Sequence, residues 1–153
     1  MVPVPLDKET LVVRLNGIEG EMAELKRLAK TPFNDFKDSD PFKLAQYHLH
    51  RALEGVFNIT AHILSRIPGG GQASSYKDMA IALGEHGIVD KNYANNKLRL
   101  MAGYRNRLVH FYAEITSEEM YKLINKDLED FDVFLSGVKK VLEDPQKWNL
   151  EVE

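Results

Sequence analysis

Residues 39–71 read SDPFKLAQYHLHRALEGVFNITAHILSRIPGGG, and the pattern in this stretch sets the fold class. Ser39 or Asp40 is suited to cap a helix, and Pro41 to open it, because a first helical turn leaves its N–H groups unbonded anyway. Leu44, Tyr47, Ala52, Val56, Ile59, Ile63 and Ile67 recur at helical spacing and mark an apolar face. Pro68 and the glycines at 69–71 stop the helix. A triple glycine suggests a phosphate loop, but no Gly-Lys-Ser/Thr follows it and no strand precedes it, so it reads as a flexible helix terminus.

The same periodicity extends in both directions. A helix is expected from about Asp7 to Lys30, with Leu11, Leu15, Ile18, Met22, Leu25 and Leu28 as its stripe, and Pro32 and a polar linker through Asp38 end it. A short helix begins at Ser75, spaced from Asp78 like a capping box, and stops near Gly84. A fourth follows Asp90 through Leu98, Met101, Tyr104 and Leu108 to about Tyr112. A fifth opens on the capping box Thr116–Glu119, carries Met120, Leu123, Ile124, Leu128, Phe131, Leu135, Val138 and Leu142, and ends before Pro145. No segment shows strand alternation. The expectation is an all-α, antiparallel bundle of four long helices and one short one in a single domain over residues 1–153. Residues 146–153 are expected as a loosely held tail, with Trp148 the one side chain suited to dock.

Composition narrows the chemistry. The 153 residues are 44% hydrophobic and 28% charged, ordinary for a soluble globular protein. With no cysteine, disulfides, thiolate metal sites and cysteine nucleophiles are excluded, which fits a cytoplasmic protein. The first ten residues, MVPVPLDKET, lack the basic and apolar regions of a signal peptide. No apolar run approaches the roughly 18 residues that span a bilayer, so no membrane partner is expected. A net charge of −3 argues against a general polyanion binder, yet Lys97, Arg99, Arg105 and Arg107 follow one another with no acidic residue between them. That run is either a local site for one anionic ligand or a solvated helix face.

Gly103 to Tyr112 reads GYRNRLVHFY. On a helix at about 100° per residue, Asn106 and His110 share a face, and Arg105 and Tyr112 stack on an adjoining strip. Arg105 and His110 point about 140° apart, an angle that a long guanidinium stem can bridge. Tyr104, Leu108 and Phe111 are left to pack inward. These residue types suit RNA cleavage without a metal. A ribose 2′-hydroxyl must lose a proton and the leaving 5′-oxygen must gain one, both tasks for an imidazole. Arginine supplies a permanently charged fork for the phosphate as charge develops. Asn106 is placed to hold one imidazole tautomer or to bind phosphate itself. The one histidine of this segment does not supply both acid and base, so a homodimer sharing one cleft is chemically attractive. On spacing alone, a histidine near a helix end is more often a cap or a satisfied structural group.

Arg105-Asn-Arg-Leu-Val-His110-Phe-Tyr112 resembles the R-x4-H-x-Y motif of HepT-type toxins in the HEPN superfamily. The likeness extends through RALEGVFNITAHIL (51–64), YKDMAIALGEHGIV (76–89) and LRLMAGYRNRLVHFY (98–112), and covers about Leu44 to Asp132. It implies a homodimeric helical bundle with two motifs across a cleft, and metal-independent endoribonuclease activity without a cofactor. By position Arg105 and His110 match the catalytic pair and Asn106 the intervening polar residue. It further implies a partner, an MntA-like nucleotidyltransferase antitoxin, which transfers AMP onto the tyrosine matching Tyr112. Phosphate there would place negative charge beside the Arg/His edge and repel RNA. The alternative is a non-catalytic HEPN-like subunit that presents substrate to a minimal nucleotidyltransferase; a plain helical interaction module is a third.

Arg107, Arg99, Lys97 and Arg51 are further candidates for RNA phosphate contacts, although for Arg51 a surface salt bridge is the favoured reading. His48, His50 and His62 raise a metal site, but His48 and His50 point to different faces, and His48 and His62 lie about 21 Å apart along the axis. No metal site is expected. His86, between Gly84 and Gly87, reads as a turn residue.

Overall fold

The computed structural model describes residues 4–110 and 115–153. Its elements are α1 (Lys8–Ala29), the single turn α2 (Phe33–Phe36), α3 (Asp40–Leu64), α4 (Tyr76–Glu85), α5 (Lys91–Tyr93), α6 (Arg99–His110), α7 (Ser117–Lys126) and α8 (Glu129–Glu143). A π turn, Ala94–Leu98, joins α5 to α6. The fold is all-α, and among the described residues the only strand-like pairing is an isolated bridge between Leu6 and Val152.

Asp7 caps α1 by accepting the Thr10 N–H at 3.0 Å. Leu11, Leu15, Ile18, Met22, Leu25 and Leu28 are all buried, as their spacing predicts. They meet α3 in antiparallel order: Asp7 N–H donates to His62 Nε2, while Glu21, two turns short of the other end of α1, reaches His48 and Arg51. α3 buries Ala45, Leu49, Ala52, Leu53, Val56, Phe57, Ile59, Ile63 and Leu64. Thr60, a buried polar residue, donates its hydroxyl to the Val56 carbonyl at 2.8 Å. Leu44 and Tyr47, read above as part of the apolar face, are instead 41% and 55% exposed. Ala45 and Leu49 define the true face there, one step round the helix from the larger side chains.

Four boundaries differ from the sequence reading. The polar linker contains α2, whose Phe36 is buried, with Phe33 and Phe36 set edge-on to the Tyr121 ring at 5.2 and 5.0 Å. The glycine terminus of α3 is packed rather than loose: Gly69 takes a left-handed φ of 79°, and a Cβ on Gly70 would sit 2.5 Å from the Leu64 carbonyl oxygen. The fifth helix is two helices, because α7 ends at the cap Asp127 and a fresh turn starts with Asp130 N–H bonded to the Asp127 carbonyl. The tail is held. Leu150 is buried, Trp148 Nε1 donates to the His86 carbonyl at 2.9 Å, and the backbones of Glu151 and Glu153 bond to Leu6 at 2.8 Å each.

The buried side chains of these helices form one hydrophobic cluster. Among the described residues no helix is long and apolar enough to cross a membrane. α6 lies against both α3 and α4, and that packing places the motif.

Candidate functional site

α6 buries only Met101 and Ala102 fully, so the rest of the helix offers polar groups to its neighbours. Arg105 points back across α3. Its Nε donates to Glu54 Oε1 at 2.6 Å, and its Cζ stands 4.2 Å over the centre of the Tyr76 ring at the start of α4. The side chain is 18% exposed. Asn106 Oδ1 lies 3.5 Å from Arg105 Nη1, at the limit of a hydrogen bond. Glu54 Oε1 also lies 3.6 Å from His50 Nε2, one turn earlier on α3. His110 is the exposed last residue of α6. Tyr112 and Phe111 lie outside the described residues.

The run of cations in the sequence is not one patch in space. Arg107 makes a two-pronged ion pair with Glu119, each oxygen at 2.7 Å from a guanidinium nitrogen. Tyr104 donates to the same carboxylate at 3.1 Å, and Thr116 caps the Glu119 N–H. The Arg107 bond holds the Glu119 carboxyl below its ordinary range against an opposing effect of burial, while burial and the Glu119 charge push the Tyr104 phenol up. Arg107 is therefore engaged with a carboxylate where the sequence suggested a phosphate contact. Arg51 is likewise paired, its Nε donating to Glu21 at 2.6 Å, so the salt-bridge alternative is the one realised. Burial alone would raise the Glu21 carboxyl, but Arg51 and His48 hold it low. Lys97 and Arg99 remain exposed and line a shallow groove with Lys77, Asn95, Asn96, Leu100 and Gly103.

The three α3 histidines have separate partners: Glu21 for His48, Glu54 for His50 and the Asp7 N–H for His62. Among the described residues no group of three or more acidic or imidazole side chains gathers to hold a metal ion. The groups that sequence reasoning missed at the site are Tyr76, His50 and Glu119. Only the His50–Glu54 pair, four apart on one helix, had a local signal.

A family model described as ribonuclease HepT-like matches residues 18–138. The chain belongs to the HepT-like ribonuclease family. Among the relatives of this HepT-like chain is the mRNA nuclease HepT of Shewanella oneidensis, 27% identical over 129 residues that span 80% of this chain and 96% of the relative. Another is the tRNA nuclease HepT of Aphanizomenon flos-aquae, 25% identical over 130 residues, spanning 84% of this chain and 87% of the relative. Two solved structures share the fold. One is a tri-AMPylated Shewanella oneidensis HEPN toxin in complex with its MNT antitoxin, with a TM-score of 0.75 at 23% identity, covering 87% of this chain and 98% of that one. The other is a toxin–antitoxin with AMP-PNP, with a TM-score of 0.75 at 20% identity, covering 87% and 99%.

Proposed function

We propose that this HepT-like chain is a metal-independent endoribonuclease, the toxin of a toxin–antitoxin pair acting in the cytoplasm. The observation that carries the reading is the shielded Arg105 guanidinium, held by Glu54 and Tyr76 on the helix that ends in an exposed His110. Arg105 would bind the scissile phosphate through its Nη edge and stabilise the charge that builds on it. His110 would move the proton, as base towards the 2′-hydroxyl or as acid towards the leaving 5′-oxygen. A second chain would supply the second imidazole across a homodimer cleft, and Asn106 would assist at the phosphate. The product would then carry a 2′,3′-cyclic phosphate. Lys97 and Arg99 would contact flanking phosphates of the RNA; Arg51 and Arg107 are paired with carboxylates.

The names of the relatives support an RNA substrate, and the AMPylated state of one structural neighbour supports regulation by nucleotidyl transfer. The partner is accordingly an MntA-like nucleotidyltransferase, with Tyr112 as AMP acceptor. The test is cleavage of RNA in chelator by the unsubstituted protein, Arg105→Ala and His110→Ala, with product ends mapped. Cyclic ends that vanish in both variants are expected. Cleavage by His110→Ala at the unsubstituted rate would overturn the assignment, and no cleavage of mRNA or tRNA by the unmodified dimer would favour a binding subunit of a nucleotidyltransferase.

A further inference from the structure

The Arg105 guanidinium is gripped on one edge and one face. Glu54 takes Nε, which lies on the edge opposite the Nη pair, and the Tyr76 ring lies beneath the plane. Nη2 has no hydrogen-bond acceptor among the described residues, and Nη1 has only the long contact to Asn106. The edge left open can bind two phosphate oxygens at once. Each half of the grip is itself supported. Tyr76 packs on Phe57 of α3 with ring centres 5.2 Å apart, and His50 stands beside the Glu54 oxygen that holds Arg105. Three helices, α3, α4 and α6, thus converge on one side chain.

A carboxylate next to a phosphate-binding arginine is a cost for binding alone, since it cancels part of the positive potential an anion would meet. Its presence calls for a compensating role. An arginine on a long flexible stem loses much rotamer freedom on binding, and pinning the fork beforehand removes that loss from the reaction step. We infer that Glu54 and Tyr76 are positioning residues for Arg105, holding its Nη edge in place for an RNA phosphate in the transition state. The inference rests on the ribonuclease reading above. It goes beyond that reading in assigning the geometry of the phosphate site to residues outside α6.

The two roles open to Glu54 predict opposite signs. If it positions Arg105, Glu54→Gln lowers kcat by about 10- to 100-fold, the range expected for misplacing a reacting group by about an ångström. KM should stay level or fall, because a negative charge has been removed near the RNA. If it only neutralises Arg105, Glu54→Gln leaves kcat unchanged or raises it, and the inference fails. In an Arg105→Lys background, which keeps a cation but lacks the Nε–H that Glu54 accepts, Glu54→Gln should cost little further; an equal loss there would also overturn it. Tyr76→Phe keeps the ring and should keep most of the rate, whereas Tyr76→Leu should lose about 10-fold in kcat. Equal rates for these two variants would remove Tyr76 from the assignment.

A readout independent of cleavage keeps the inference separable from the ribonuclease reading. In nitrogen-15 spectra of the full chain, the Arg105 Nε–H resonance should be slow to exchange and displaced by the Tyr76 ring current. Glu54→Gln should speed its exchange, and Tyr76→Leu should abolish the displacement. A rapidly exchanging, undisplaced Arg105 signal in the unsubstituted protein would overturn the cradle. A protected signal in a protein that cleaves no RNA would sink the ribonuclease reading and leave the cradle standing.

Discussion

The α1–α3 seam and the C-terminal half of α6 are both contacts between helices, yet they are built from different chemistry. The seam is apolar over most of its length: the α1 residues Leu11, Leu15, Ile18, Met22 and Leu25 are buried, and Ile18 lies over Gly55 of α3, where an added Cβ would stand 2.7 Å from its Cγ1. Its polar contacts are Asp7 with His62 at one end, and Glu21 with His48 and Arg51 about two turns from the other. α6 beyond Ala102 reverses the proportion: Arg105 and Arg107 are fixed by carboxylates 51 and 12 residues away, and among the described residues its apolar packing comes from half-buried Tyr104 and Leu108. Burial of apolar area is non-directional and tolerates small shifts, whereas a charged hydrogen bond fixes a side chain to a few tenths of an ångström. One region holds the fold and the other holds a geometry, so substitutions should separate stability from activity.

The largest separation should come from His110→Ala. Loss of the imidazole proposed to transfer the proton should lower cleavage by about 10²–10⁴-fold. The melting temperature should move by no more than about 2 °C, because the residue is an exposed helix terminus. A fall of 10 °C by calorimetry would mean that His110 belongs to the scaffold.

Gly137→Ala should do the reverse. A Cβ there would meet the Ile88 carbonyl oxygen at 2.7 Å and Val89 Cγ1 at 2.9 Å, so α8 must shift from the loop that follows α4. Overpacking of this kind costs about 1–3 kcal/mol, a fall of roughly 2–12 °C for a chain of this size. Cleavage per folded molecule, assayed well below the transition, should be unchanged. An unaltered melting temperature would show that the loop yields freely.

A smaller effect is expected at the pair that braces α6. Glu119→Gln should cost about 0.5–1 kcal/mol, since the pair is two-pronged but a third exposed. The folded carboxyl titrates below its unfolded value, so this stability is present above about pH 4.3 and is lost as pH falls through the lower folded value. Urea midpoints at pH 7 and pH 3 should therefore differ less in the variant; an equal fall in both proteins would show that the pair is not what titrates.

The same contrast explains what the sequence disclosed. The apolar stripe of α1 was legible residue by residue, because burial follows a helical period. Leu44 and Tyr47 were misplaced because hydrophobicity says which side chains suit a core, not which face the neighbouring helix covers. The break at Asp127 was hidden, since the stripe runs through it in phase, and the docking of the tail rests on Leu6, at the opposite end of the chain. At the site, the residue types of the motif were visible, but nothing local announces that Arg105 meets Tyr76 or that Arg107 turns to Glu119. Consecutive cations on a helix point in different directions, so a charged run in the sequence need not be a patch.

The smallest effect lies at the far end of the seam, where it tests whether the two regions are independent. His62 Nε2 accepts the Asp7 N–H at 3.1 Å, which only a neutral imidazole does. Burial, then the neighbouring Arg66 and Arg14, push its pKa down, with Asp7 pulling weakly the other way. Because the folded value lies below the unfolded one near 6.5, the contribution is complete above about pH 7 and declines as pH falls through 6.5 towards the folded value. His62→Gln offers an amide oxygen to the same N–H and should flatten the urea midpoint between pH 7.5 and 5.5. His62 and Glu54 are eight residues apart on α3, about 12 Å along the axis, and no contact joins them. The pH profile of cleavage should therefore be the same in His62→Gln as in the unsubstituted protein. A displaced profile would mean that the apolar seam transmits the state of its end to the Arg105 cradle, and that fold and geometry are not separable in this chain.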